Sequence, residues 1–338
     1  MEDCNKKLDI KHAVRAMGEY IILNSVATDS TSLFYGRAGM SICLFETARF
    51  LNDDYIDDYA FTLLQQSLLN EKNDIRFDAG LSGIGYALDY LIRNKFIDAS
   101  FMEIFHKQHD IIVERFLCQN FLGMSLKALI QQCQLMLYFH YITDKRVEFK
   151  IKELNEVCIA KFRETWSALF NGQILLDKES IITLWKYYLK IMSLINSVRS
   201  FEHINEYICL LQKGLLKRDI QSLYCASIIA SEKNDATFRN ISTPTIVKYD
   251  ISDFNPIDSM RVANVFSEPY VSCESVRCGI RKWFNNVTIE DMDEILNDKI
   301  GFSSSTVMLS LGLPRLALGL ISIETSNNHI VNEILSVI

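Results

Sequence analysis

The first proline of this 338-residue chain is Pro244, and only 4 prolines occur in all. Proline breaks helices, so a stretch of this length without it favours helices from end to end. Apolar residues recur at three- and four-residue spacing, as in Ile42, Phe45 and Ala48. The pattern predicts an all-α fold, with helices over residues 11–27, 39–51, 56–70, 82–95, 101–118, 124–142, 147–170, 178–198, 203–216, 219–231, 289–296 and 315–323.

One region departs from this helical pattern. Residues 237–275 contain Pro244, Pro256 and Pro269, together with the β-branched run 245–247. Proline restricts both itself and the residue before it, and β-branched residues favour extended backbone. We therefore expect a loop-rich elaboration at 237–275, with at most a short extended piece inside it.

Composition and charge exclude several classes of protein. Hydrophobic residues make up 49% of the chain and charged residues 23%, as in ordinary globular proteins. The formal net charge of −7 argues against nucleic acid as a partner. The longest uncharged stretches, 128–143 and 300–314, are shorter than the ~20 apolar residues that span a bilayer. With acidic residues at its start and no apolar segment after them, the chain is expected to be cytoplasmic, without a membrane span.

The 9 cysteines are an odd number, they are scattered along the chain, and no pair forms a CxxC motif. This usage is typical of reduced, buried thiols, and it excludes a zinc ribbon or a thioredoxin-type site.

A glycine-containing segment recurs along the chain, which points to internal repeats. Residues 35–42 (YGRAGMSI) are echoed 44 residues later by 79–86 (AGLSGIGY). Weaker copies follow at 121–126 (FLGMSL) and 311–320 (LGLPRLALGL). A period near 44 fits two helices and two connections per repeat, and such pairs stack as an open solenoid or close into an α/α ring. The glycines would allow a tight turn before a helix or the close approach of another backbone.

Two other patterns have both a functional and a structural interpretation. Asp53, Asp54 and Asp57 form the Asp-Asp-x-x-Asp pattern with which prenyl synthases bind magnesium and diphosphate. Because no second metal motif follows, we interpret these acids as the solvated start of a helix. His106 and His109 stand three residues apart on one helix, but no third metal ligand is evident nearby, and we interpret them as part of a solvated face.

Four segments resemble lanthionine synthetase C-like (LanC-like) proteins, particularly short stand-alone forms. They are residues 33–40 (LFYGRAGM), 45–50 (FETARF), 77–92 (FDAGLSGIGYALDYLI) and, for the terminal repeat, 311–320. About a third of the chain carries the resemblance, which departs from the family pattern at Pro314 and Arg315. It implies one α/α toroid domain over residues 1–338, with 237–275 as its main elaboration.

The resemblance also implies an activity. LanC-like enzymes bind a ribosomally made precursor peptide and add a cysteine thiol to a dehydroamino acid, which a partner dehydrating enzyme has produced. Their zinc is held by two cysteines and a histidine, and the second cysteine directly precedes the histidine. This chain contains no Cys-His dipeptide, so it departs from the family's zinc motif. The candidate zinc ligands are Cys225, Cys273 and Cys278, with His203 able to replace one of them; alternatively these cysteines are buried core thiols.

The candidate for the catalytic acid is Asp78, two residues before Gly80. LanC-like enzymes place an aspartate shortly before this glycine motif, where Arg76 occupies what looks like the equivalent position. The structural alternative is that Asp78 caps the following helix. Two functions therefore stay open: a diverged thioether cyclase, and a non-catalytic relative that binds a peptide or a partner protein without zinc.

Overall fold

The computed structural model describes residues 9–69, 73–170, 313–325 and 330–335. These residues form helices and contain no β-strand, so the all-α prediction is confirmed for them. The helices are α1 (Ile10–Ser25), α2 (Arg37–Leu51), α3 (Asp54–Leu68), α4 (Leu81–Arg93), α5 (Phe101–Leu117), α6 (Leu126–Tyr141), α7 (Glu148–Phe170) and α8 (Leu313–Thr325), with a 3-10 turn at Lys145–Val147 and a π-helical turn at Ile330–Leu335. The helices expected at 178–198, 203–216, 219–231 and 289–296, and the loop expected at 237–275, lie outside the described residues.

Helices α2 to α7 follow one another as three pairs with a regular spacing along the chain. The first helices of the pairs, α2, α4 and α6, begin at Arg37, Leu81 and Leu126, which are 44 and 45 residues apart. The second helices, α3, α5 and α7, begin 47 residues apart each time. Each pair thus starts where the glycine segment recurs in the sequence.

The chain divides into two compact units, and α2 lies at the centre of the first. This unit comprises residues up to Asp74, residues 78–106 and residues from Asp250 onward. Every residue of α2 from Ala38 to Ala48 is buried, because α1, α3, α4 and α8 all pack against this helix. Helix α8 comes from the far end of the sequence, and the thiol of Cys43 donates a hydrogen bond to the carbonyl oxygen of Pro314 at 3.5 Å.

The second unit comprises Ile75–Phe77 and Lys107–Tyr249, and its described helices are the end of α5, α6 and α7. Its core contains the ring of Phe116, whose centroid lies 5.8 Å from that of Phe121 and 5.1 Å from that of Phe139. Within this unit α6 packs against α7. A single domain over residues 1–338 stays a prediction.

Among the described helices, none combines the length and the apolar character that crossing a bilayer would require.

Candidate functional site

The loops that precede α2 and α4 have the same backbone geometry. The N–H of Arg37 donates to the carbonyl oxygen of Ser30 at 2.9 Å, and the N–H of Leu81 donates to that of Asp74 at 2.7 Å. In both cases a carbonyl seven residues upstream satisfies the first N–H of a helix, and the N-cap residue is a glycine. The two copies of the sequence motif therefore encode the same helix start.

Gly36 shows why the first loop requires glycine. A Cβ placed on this residue would lie 2.3 Å from the carbonyl oxygen of Ser30 and 2.6 Å from the backbone nitrogen of Ser32. Both are backbone atoms, which cannot rotate away as a side chain would. The glycine thus leaves room for the turn that supplies the carbonyl to α2.

Asp78 lies between these two helix starts. Its carbonyl oxygen accepts a hydrogen bond from the N–H of Phe34 at 3.0 Å, which joins the loop before α4 to the loop before α2. The side chain is half-buried, and its Oδ1 is buried without a hydrogen-bond partner among the residues that the structure describes. The capping alternative is wrong, because the N-cap of α4 is Gly80 and no side chain caps this helix. This oxygen can therefore still accept a hydrogen bond.

The acidic cluster after α2 forms the start of α3, as the sequence predicted. Asp53 is the N-cap of α3, where its Oδ1 accepts from the N–H of Ile56 at 3.2 Å. Its Oδ2 accepts from the guanidinium of Arg15 at 2.5 Å. The hydrogen bond from Arg15, with that from Ile56, lowers the pKa of Asp53. The carboxylate of Asp53 therefore serves to cap α3.

A buried acid on α2 is a feature that the sequence analysis missed. The carboxylate of Glu46 is 1% exposed and accepts a hydrogen bond from the hydroxyl of Tyr90, on α4, at 2.5 Å. Burial and the neighbouring carboxylate raise the pKa of Tyr90 far above its usual range, so this hydroxyl stays protonated and remains a donor. Burial also raises the pKa of Cys43, one turn before Glu46, to about 12. The sequence signal for the burial of Glu46 was its position among the mostly apolar residues of α2.

Side chains of α4 also hold the π-helical turn at Ile330–Leu335. The hydroxyl of Tyr86 donates to the carbonyl oxygen of Glu333. The guanidinium of Arg93 bonds to Glu333 at 2.7 Å and to Asp89 at 2.6 Å. Tyr86, Tyr90 and Arg93 therefore place the polar side of α4 against α2 and the end of the chain.

The second unit contains a polar chain centred on His109. The solvated-face interpretation is wrong for this residue and holds for His106. His109 is 3% exposed, whereas His106 is exposed. The Nδ1 of His109 lies 2.8 Å from the hydroxyl of Tyr138 on α6, and its Nε2 lies 3.0 Å from Oδ2 of Asp144. Arg146 bonds to the same carboxylate at 2.7 Å. His109 continues the apolar stripe of α5, so the spacing of buried residues could have revealed its burial.

The candidate zinc ligands cannot be placed. Cys225, Cys273, Cys278 and His203 all lie outside the described residues. Within the parts of the chain that are described, no group of three His, Cys, Asp or Glu side chains is arranged to hold a metal ion. Of the four described cysteines, Cys43, Cys133 and Cys158 are buried free thiols, as expected, whereas Cys118, just past the end of α5, is exposed.

Comparison with known proteins adds no identification. No protein-family model matches the chain, and no curated protein matches it. The geometry of the described residues is therefore the basis for a functional proposal.

Proposed function

We propose that this chain is a LanC-like protein that acts in the maturation of a ribosomally made peptide. The proposal includes an α/α toroid, and two features support that architecture. The helices α2 and α4 begin at equivalent glycine loops 44 residues apart. The helix α8 packs against α1 and α2, which is what a ring requires of its last repeat.

Asp78 carries the catalytic part of the proposal. Its half-buried carboxyl has an unpartnered Oδ1 among the described residues, and it lies in the loop before α4, which is hydrogen-bonded to the loop before α2. When a cysteine thiol adds to dehydroalanine, an enolate forms, and its α-carbon must receive a proton. We assign that proton to the Asp78 carboxyl, acting as a general acid.

Zinc belongs to the proposal only through the family resemblance. When bound, zinc would lower the pKa of the substrate thiol and so supply a thiolate. Its ligands would come from Cys225, Cys273, Cys278 and His203, outside the described residues. The step assigned to Asp78 does not depend on how the thiolate is formed.

A second candidate function is the binding of a peptide or partner protein without catalysis. The observation that favours it is the absence of any Cys-His dipeptide from the sequence. A zinc site that lacks one of its three protein ligands holds the metal weakly. The two candidates therefore differ first in metal content.

The first experiment is elemental analysis of the full chain, purified without chelator, beside a Cys225→Ala variant and a Cys118→Ala control. The cyclase predicts about one zinc per chain in the wild type, retained in the control and lost in Cys225→Ala. A wild-type chain without zinc contradicts the zinc-dependent cyclase and favours the binding function.

The second experiment tests Asp78 directly. The substrate is a synthetic peptide with one dehydroalanine and one cysteine, and the rate of thioether formation is measured by mass spectrometry. Loss of a general acid costs about 100-fold in rate, so we expect this loss in Asp78→Asn. Asp98→Asn, which changes an exposed aspartate after α4, is the matched control. An unchanged rate in folded Asp78→Asn removes this residue from the mechanism.

A further inference from the structure

Two cysteines of the second unit lie in direct contact between neighbouring helices. Cys133 is on α6 and Cys158 is on α7, and their Sγ atoms are 3.3 Å apart. Both side chains are fully buried, and both are free thiols. The remaining described cysteines differ: Cys43 hydrogen-bonds to the carbonyl oxygen of Pro314, and Cys118 is exposed.

We propose that Cys133 and Cys158 are a dithiol modification site, which low-molecular-weight disulfides oxidise to an intramolecular disulfide between α6 and α7. This inference is independent of the proposed function. A disulfide bond is about 2.05 Å long, so the two sulfurs, now 3.3 Å apart, need to approach each other by roughly 1.3 Å. Small shifts of the side chains and of the two packed helices supply this approach.

The oxidation proceeds by two thiol–disulfide exchanges. One cysteine loses its proton and attacks a sulfur of glutathione disulfide; the S–S bond of the oxidant breaks, and one glutathione leaves as the thiolate. The second cysteine then loses its proton and attacks the protein sulfur of this mixed disulfide, which forms the Cys133–Cys158 bond and releases the second glutathione. In total two thiols lose two protons and two electrons, and one glutathione disulfide becomes two glutathione molecules.

Burial sets the rates of the two steps differently. The pKa of Cys133 is raised well above its usual value, first by burial and then by the adjacent Cys158 thiol. The first exchange is therefore slow, since it requires a thiolate and local opening between α6 and α7. The second exchange is fast, because the attacking thiol is held beside the mixed disulfide.

The test treats the folded full chain with glutathione disulfide, unfolds it in denaturant with N-ethylmaleimide, and maps the products by mass spectrometry. We expect a peptide pair joined through Cys133 and Cys158, with neither residue alkylated. Cys118 is expected to carry glutathione instead, because it is exposed. Two results overturn the proposal: Cys133 and Cys158 both alkylated, or each joined to glutathione without a cross-link.

Thermal unfolding gives a second readout. A cross-link between residues 25 apart in the chain restricts the unfolded state. We expect the midpoint of unfolding of the treated wild type to rise by about 5 °C. The treated Cys158→Ser variant is expected to show no rise, whereas Cys43→Ser, which changes a buried thiol of the other unit, keeps it. An equal rise in Cys158→Ser contradicts the assignment.

Discussion

Two helices that open successive helix pairs, α4 and α6, begin in different ways. The first N–H of α4, like that of α2, bonds to a carbonyl seven residues upstream behind a glycine N-cap. At α6 the hydroxyl of Ser125 accepts from the N–H of Ala128 at 3.2 Å, and the nearby Gly123 has a φ of 86°. The repeated glycine therefore serves two purposes: space for another backbone at Gly36, and a left-handed backbone at Gly123.

The two units also differ in whether a buried polar contact connects to an exposed side chain. In the first unit one such contact joins Glu46 and Tyr90, which are both buried. In the second unit the buried His109 contacts the carboxylate of Asp144, and this carboxylate also bonds to Arg146. The second arrangement thus ends at the exposed side chain of Arg146.

The largest effect is expected from Gly36→Ala. Its Cβ would lie within 2.6 Å of backbone atoms of Ser30 and Ser32, so the loop must move and α2 loses its first carbonyl partner. We expect a loss of about 3 kcal/mol in the free energy of unfolding, measured in urea.

The matched control is Gly123→Ala. An added Cβ there meets no atom within 4 Å, so only the left-handed backbone is penalised. We expect a loss of about 1 kcal/mol. Equal losses at the two positions would contradict the distinction between space and backbone conformation.

Helices were the part of the fold that could be predicted. The periodicity of apolar residues placed α2 at 39–51, and the structure has Arg37–Leu51. The predicted start of α2 was two residues late because the sequence contains no side-chain cap there. Instead, the carbonyl oxygen of Ser30 accepts the hydrogen bond from the first N–H of the helix. Such a carbonyl leaves no mark in the sequence except the glycine that makes room for it.

The next largest effect is expected from Tyr90→Phe. The variant removes the hydroxyl that donates to the buried carboxylate of Glu46 and leaves that oxygen without this donor. We expect a loss of about 2 kcal/mol in the free energy of unfolding. Tyr55→Phe, at a side chain that is 68% exposed, should change it by less than about 0.5 kcal/mol. A similar loss in both variants would show that the buried pair contributes nothing particular to the first unit.

The candidate site was predictable only in part. Asp78 could be proposed because the glycine motif marks the loop that contains it. Glu46 and His109 could not, since a sequence pattern shows that a polar residue falls on a buried face but not which partner meets it there. Tyr90 is 44 residues from Glu46, and Asp144 is 35 from His109. Such pairings depend on how the helices pack, which the period of one helix does not encode.

The smallest effect is a pH dependence confined to the second unit. The hydrogen bond from Arg146, with that from His109, lowers the pKa of Asp144 below its usual value. A carboxyl with a lowered pKa in the folded state stabilises the protein above its unfolded pKa of about 4, and the contribution is lost as the pH falls below that value. Asp144→Asn should therefore be less stable than the wild type at pH 7, and the difference should shrink steadily as the pH falls below about 4.

The control for this prediction is Asp110→Asn. Asp110 also bonds to Arg146, at 2.9 Å, but its side chain is 50% exposed, so solvent screens the pair. We expect a smaller loss in the free energy of unfolding at pH 7 than for Asp144→Asn. If urea unfolding shows the same pH slope for Asp144→Asn and the wild type, then Asp144 does not couple the polar chain of His109 to solvent.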